Sequence, residues 1–287
     1  VWWFRGLGSR MNTNSGFRAL FTEQVNKPAE DIQLDRAALY LAGEEYPNLD
    51  VPELLSQLDA FATRVSLQVN DKSSPADMAR AIAVYLFADV GFRGNSGEYY
   101  SPDNSYLNCV LETRTGIPIS LSLVFMEVGR RLGLSCSGIG LPGHFIVCLD
   151  RTGEYLDPFN GGVPLSLEDC RTLVQKMSGG HLEWTGQFLE PLTKHDILFR
   201  MLNNLKSIYM EATALPKAIG VIQRMAIIKP GLHSLYQELA WCHAQQHEFR
   251  LAISALETCL KNASDPGDIK RVRGQIEGLQ TTLNHLN

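Results

Sequence analysis

A histidine and an aspartate thirteen residues apart are the pair in this chain best suited to chemistry: His144 in LPGHFIVCLD and Asp157 in EYLDPFNGG. An imidazole held in one tautomer by a carboxylate can take a proton from a nucleophile, which is the work of a general base. HFIVCL and EYLDPF read as strands and DRTG between them as turn residues, so the segment is predicted to fold as an antiparallel hairpin. A loop of two or four residues pairs Leu149 with Glu154, and this sets Ile146 opposite Asp157 and His144 opposite Phe159. Side chains alternate with period two, so His144, Ile146, Asp157 and Phe159 share one face, with His144 and Asp157 diagonal neighbours.

Such a base serves a thiol or hydroxyl, and reactive thiols sit at helix N-termini, where the macrodipole favours thiolate. Three side chains are candidates. Cys109, in YLNCVL, lies on the helix before the Gly116-Ile117-Pro118 turn and reads as buried. Ser120 lies in the first turn of the helix after it and reads as a capping or packing hydroxyl. Cys148 shares the face of His144 and reads as core. For His144 itself the preferred reading is a hydrogen-bonded residue that steadies the hairpin, with a working base as the alternative. Asp157 before Pro158 also suits the start of a turn.

The elements that position these residues are mostly helical. Ala38, Leu41 and Ala42 mark one helix, ended by Pro47, and Leu54, Leu55, Leu58, Phe61, Ala62 and Val65 form the apolar stripe of a second. Ser74, Pro75 and Asp77 open a third, as a capping residue, a proline at the first helical position and an acid at the third. Residues 91–104 read as a long loop. The core then runs as a helix (104–116), a turn, a second helix (ISLSLVFMEVGRRLGL), the two strands, a Gly161-Gly162 turn and a short helix capped by Ser166. Asn104 and Ser105 are expected to cap. Arg114 and Glu127 are charges beside apolar helices and are expected to be solvated or paired at the surface, with a pocket role as the alternative.

With 287 residues, 45% hydrophobic and 20% charged, the chain can bury a core without staples. A net charge of -5, a pI near 5.8 and the lack of a Lys/Arg run argue against nucleic acid and anionic membranes as partners. Six scattered cysteines without a CxxC pair suggest a reduced, cytoplasmic protein with no structural zinc. No uncharged apolar run reaches a membrane span. The opening VWWFRGLGSR is too short and too interrupted by Arg5 and Arg10 for a signal peptide, Met11 reads as the natural start, and residues 1–10 are set aside from the fold.

The last ninety residues carry a 34-residue period. With Phe199 as position 1, Leu202, Leu205, Tyr209, Ala218 and Pro230 fall on the tetratricopeptide (TPR) pattern, and Tyr236, Leu239, His243 and Ala252 repeat it one period later. The segment 269–286 reads as a capping helix, and two units with one cap are expected to lean on the preceding domain. His243 and His247 have i, i+4 spacing, but His243 is a packing position of the repeat and no third metal ligand is in view.

NSYLNCVLETRTGIPISLSLVFMEVGRRLGL, GLPGHF, DPF and RMLNNLKSIY together resemble the transglutaminase-like superfamily, and within it the bacterial SirB-type proteins that join such a domain to C-terminal TPRs. The resemblance spans residues 31–266. It implies a papain/transglutaminase-like fold in which His144 and Asp157 stand at the His and Asp positions of a Cys-His-Asp site. Active members place the cysteine about fifteen residues before the glycine that ends the helix, and counting back from Gly133 reaches Pro118.

The expected architecture is α+β: a leader and arm (1–30), a transglutaminase-like domain (31–195, helical over 31–92, core 104–160) and a TPR-like helical domain (196–287). The expected function is a non-catalytic module that binds a protein or peptide through the vestigial cleft and the TPR surface, with Asn104, Arg114, Pro118 and Glu127 as candidate binding residues and no cofactor or metal. The alternative is an acyl-transfer enzyme (amidase, protease or transglutaminase) with His144 as base, Asp157 orienting it, and Cys109 or Ser120 as nucleophile.

Overall fold

The computed structural model describes residues 13–286 apart from position 71, so the proposed leader and the Met11 start lie outside the described residues. Two compact units divide the chain, residues 1–197 and 198–287.

The first unit is organised around one helix. In order it contains α1 (Thr13–Val25), α2 (Leu34–Ala42), α3 (Val51–Ser66), α4 (Pro75–Ala83), β1 (Arg93–Gly94), α5 (Leu107–Thr113), β2 (Thr115–Gly116), α6 (Pro118–Arg131), β3 (Cys136–Ile139), β4 (Ile146–Leu149), β5 (Tyr155–Asp157), β6 (Val163–Leu165) and α7 (Leu167–Met177). Every residue of α6 from Pro118 to Gly129 is buried, because α2, α3, α4 and α5 pack on it together with β3 and β4. A helix this largely apolar requires such an environment. Each large side chain it buries contributes roughly 1.5–3 kcal/mol by removal from water.

Local chemistry sets the ends of several helices. Ser74 Oγ accepts from Asp77 N and Pro75 occupies the first position of α4; Ser166 and Asp169 form the same reciprocal cap on α7. Asp50 caps α3 through Glu53 N at 3.0 Å. The chain beyond α4 continues as a π-helical turn over Val84–Asp89, where Val90 N reaches back five residues to Tyr85 O.

The four-stranded sheet is an antiparallel meander, β3-β4-β5-β6. Val147 pairs with Leu156 and Cys148 with Tyr155, and Leu149 N donates to Glu154 O, which is the register read from the loop length. One face, with Ile139, Ile146, Cys148 and Tyr155, packs with Cys170 and Val174 of α7. On the other face Leu149 and Leu156 face α4 across an apolar groove of about 510 Å³. There Gly162, at φ +73°, brings the turn before β6 within van der Waals range of Ala83 and Phe87, an approach that a Cβ would block.

Several elements depart from expectation. Residues 13–25 of the expected arm are helical, and the 91–104 loop contains β1, which pairs in parallel with β2, and a 3₁₀ turn at Pro102–Asn104. The strands β3 and β6 extend the expected hairpin to four.

The second unit contains α8 (Lys194–Glu211), most of which falls in it, with α9 (Leu215–Ile228), α10 (His233–Gln245), α11 (Phe249–Asn262) and α12 (Pro266–Leu286). These are two helix-turn-helix repeats and a final helix, with a break between α9 and α10 at the expected Pro230. Ala240, Ala252, Ala255, Leu256, Cys259, Val272 and Ile276 form one core, and the small residues let the helices approach closely.

Candidate functional site

His144 lies outside the strands. Pro142 and Gly143 take the two central places of a turn, with Gly143 at φ +71° and His144 N bonded to Leu141 O at 3.1 Å, so β4 begins only at Ile146. The expected strand position is corrected on that ground. The side chain still meets its carboxylate: His144 Nε2 lies 2.9 Å from Asp157 Oδ2, and the two residues are 7% and 1% exposed.

Asp157 ends β5 and holds the next turn together. Its Oδ1 accepts from Phe159 N at 3.1 Å and Asn160 N at 3.4 Å; its Oδ2 accepts from Asn160 Nδ2 at 2.7 Å as well as facing His144. Four donors thus surround one carboxylate. Burial pushes its pKa up, but the bond and charge of His144 and the donors of Asn160 outweigh it and hold the group below the usual carboxylate range. An ionised Asp157 facing Nε2 orients the imidazole ring, as a carboxylate does for a general base. Phe159 stands edge-on to His144 at 5.9 Å, and Tyr99 edge-on to Phe159 at 6.3 Å. The parts of this arrangement missed in the sequence are Asn160 and Tyr99; the DPFN string, an aspartate at the start of a proline turn, was the available signal for Asn160.

The remaining candidates go to other places. Pro118 is the first residue of α6 and is buried. Ser120 Oγ donates to Asn104 O at 2.6 Å, accepts from Ile117 N at 3.1 Å and is fully buried, so its hydroxyl ties the start of α6 to the preceding loop. Cys109 is buried on α5, and burial pushes its thiol up. Cys148 is half-buried and packs with the α7 cluster; burial pushes it up too. The same holds for the other cysteines: Cys136 is pushed to about 12 and Cys170 to about 11, and Cys242 and Cys259 are also raised by burial.

Three expectations are corrected. Asn104 and Ser105 do not cap α5, which begins at Leu107 without a side-chain cap. The Asn104 amide is spent inside the loop, donating to Glu98 O at 2.6 Å and Tyr99 O at 3.2 Å and accepting from Asn95 Nδ2 at 3.0 Å. Arg114 is half-exposed and has no ion pair among the described residues: at φ 57° it ends α5, stacks its guanidinium over Phe61 and Phe92 at 5.2 and 5.0 Å, and donates to Leu111 O. Glu127 is paired, but in the interior at 3% exposed, with Arg130 and Arg131. Among the described residues no group of three or more His, Cys, Asp or Glu is arranged to hold a metal ion, and no helix is long and apolar enough to cross a membrane. His243 Nδ1 instead bonds Glu248 at 2.6 Å.

Residues 52–203 match the model of the Transglutaminase-like superfamily, and residues 205–277 match a Tetratricopeptide repeat. A UPF0162 protein of Xylella fastidiosa is 34% identical over 256 residues, covering 87% of this chain and 91% of the relative. A UPF0162 protein of Pseudomonas aeruginosa is 27% identical over 227 residues, 77% of this chain and 83% of the relative. F-box only protein 21 of Mus musculus is 33% identical over 162 residues, which span 53% of this chain and 24% of that protein. With the superfamily match over more than half its length, TPR helices after it and UPF0162 relatives along most of its length, the chain belongs to the transglutaminase-like superfamily and to its SirB-type UPF0162 family.

Proposed function

We propose that this protein is a non-catalytic binding module, in which Pro118 stands where active superfamily members place their cysteine. The observation that carries this reading is where the nucleophiles sit: Cys109, Cys170, Cys242 and Cys259 are buried, Cys136 and Cys148 are half-buried, and Ser120 spends its hydroxyl on Asn104 O and Ile117 O; burial accordingly pushes all six thiols above their ordinary value. A thiol nucleophile acts as thiolate, and a raised pKa removes that form at neutral pH. His144 and Asp157 then serve to hold the Asp157–Asn160 turn. The side chains of Asn104, Arg114 and Glu127 serve architecture in the same way.

The domain boundaries we assign are 31–195 and 196–287, and the TPR-like part supplies the binding surface. It offers a groove of about 290 Å³ between α10, α11 and α12, lined by Gln237, Trp241, Leu256, Gln275 and Leu279, with Trp241 48% exposed. An exposed aromatic side chain and glutamine amides lining one groove suit an extended peptide, whose backbone takes amide hydrogen bonds and whose apolar residue covers the indole. TPR repeats generally mediate protein–protein contacts, which supports a protein or peptide as the partner.

A second reading rests on the 2.9 Å contact between His144 and Asp157. There His144 is the base of an acyl-transfer reaction, Asp157 orients it, and Cys109 or Ser120 attacks. A chloroacetamide probe applied to the full chain at neutral pH separates the two. The binding-module reading expects all six cysteines to label slowly. Rapid labelling of Cys109 that disappears in His144→Ala would overturn it.

A further inference from the structure

Between α2, α3 and α6 lies a cluster of charge that the proposed function does not use. Asp35 on α2 and Glu127 on α6 are 2% and 3% exposed. Arg130 and Arg131 fork across them both. Asp35 Oδ2 takes Arg131 Nη2 at 2.7 Å and Arg130 Nη2 at 3.3 Å, and Glu127 Oε2 takes Arg130 Nε at 2.8 Å and Arg131 Nη1 at 2.9 Å. Arg131 Nε also reaches Asp59 of α3 at 2.6 Å. Cys136 on β3 also faces the charge of Glu127.

Three carboxyl groups therefore share two guanidinium ions, leaving one negative charge in excess. Asp59 is solvent-exposed. Asp35 and Glu127 have no water to lean on, and two like charges bound to the same guanidinium groups cannot both ionise freely. We propose that Asp35 and Glu127, bridged by Arg130 and Arg131, form a pH-sensitive clasp that pins α2 and α3 to α6 while one proton is held between the carboxyls, and loosens when that proton leaves to solvent.

The electrostatics agree in direction. Burial and the neighbouring charge of Asp35 push Glu127 up to about 7 against the pull of Arg130. Burial also pushes Asp35 up, but the bond and charge of Arg131 outweigh it and hold Asp35 below the usual carboxylate range. The proton therefore resides on Glu127. A carboxyl raised in the folded state contributes stability that is fully present below its unfolded value of 4.5 and is lost as pH rises through about 7. Asp35 acts oppositely, but only as pH falls below 3.8, outside that window.

Differential scanning calorimetry of the full chain between pH 5.5 and 8 tests the clasp. The Tm of the transition that includes residues 34–131 is expected to fall by roughly 4–8 °C across this range, and Glu127→Gln, which keeps the shape of the protonated acid, to flatten the fall. An unchanged slope in Glu127→Gln, or a flat wild-type profile, overturns the proposal. Should Glu127→Gln fail to fold, a carboxyl carbon-13 titration of the wild-type chain decides. One glutamate titrating near pH 7 supports the clasp, and every carboxyl titrating below pH 5.5 overturns it.

Discussion

Asp157→Asn is the substitution that weighs the His144–Asp157 turn most directly. The carboxylate accepts from four donors, two at each oxygen, in a setting 1% exposed. An amide of the same shape offers one acceptor oxygen and one donor group. With its oxygen toward Phe159 N and Asn160 N, its NH₂ faces His144 Nε2 and Asn160 Nδ2, both donors. Relief requires moving the imidazole proton to Nδ1 and turning the Asn160 amide over. Hydrogen bonds to charged groups contribute ~1.5–3 kcal/mol each, and such partial relief leaves a net loss of about 2–4 kcal/mol. In a unit of this size that is a fall in Tm of roughly 5–15 °C. The pH dependence follows from sign: Asp157 is depressed in the folded state, so its stabilisation is present above its unfolded value near 3.8 and lost as pH falls through the folded value. Urea denaturation followed by circular dichroism should show the largest gap between variant and wild type at pH 7 and a shrinking gap below pH 4. A loss under about 0.5 kcal/mol at pH 7, or one that persists unchanged to pH 2, refutes the four-donor account.

Asn104→Ala removes three buried hydrogen bonds that fold the 95–104 loop on itself, and a loss of about 2–3 kcal/mol with faster proteolysis at residues 95–101 is expected. Gly162→Ala places a methyl 2.7 Å from Ala83 Cβ at φ +73°, whereas Gly133→Ala, at φ +78°, meets nothing within 4 Å. Chemical denaturation should give about 1–2 kcal/mol for the second, the backbone term alone, and clearly more for the first. Pro118→Cys puts a thiol at the N-terminus of α6, where the helix dipole favours thiolate. Its alkylation at pH 7 should outpace that of every native cysteine and slow when His144→Ala is added; labelling no faster than the native thiols removes position 118 from the site.

Much of this fold was legible because it rests on short-range rules. Ser74 and Ser166 announce α4 and α7 through the spacing to Asp77 and Asp169, and the turn chemistry of residues 150–153 fixes the β4–β5 register. The 34-residue period places α8 to α11 because each repeat is its own supersecondary unit. What escaped depends on tertiary partners. The strands β3 and β6, CSGI and VPL, are too short and too rich in Gly and Pro to carry an alternation, and exist because β4 and β5 give them ladders. Pro142-Gly143 should have separated His144 from the strand, and the apolar stretch of strand residues beyond it concealed that. Arg114 finds its place only when Phe61 and Phe92 arrive from other segments. Glu127 lies inside because the mostly apolar run around it, LVFM before and VG after, is buried on every side, whereas a lone charge by itself suggests a surface.

A His–Asp contact at 2.9 Å serves a base awaiting a nucleophile and a structural bolt equally well. The discriminating facts lie around it. Asp157 draws two of its donors from backbone N–H groups of its own turn and one from the Asn160 side chain, so three of four contacts shape the chain between β5 and β6. That chain leads directly to Gly161-Gly162 and the close approach to Ala83 and Phe87. Removing the carboxylate would disturb the sheet edge whether or not a reaction took place there, so retention of the pair needs no catalytic explanation. A working site needs one thing more, a nucleophile ionised or readily deprotonated near neutral pH, and for each native thiol burial acts in the opposite direction. The nucleophile, rather than the base, is therefore the part on which the choice between binding and turnover depends.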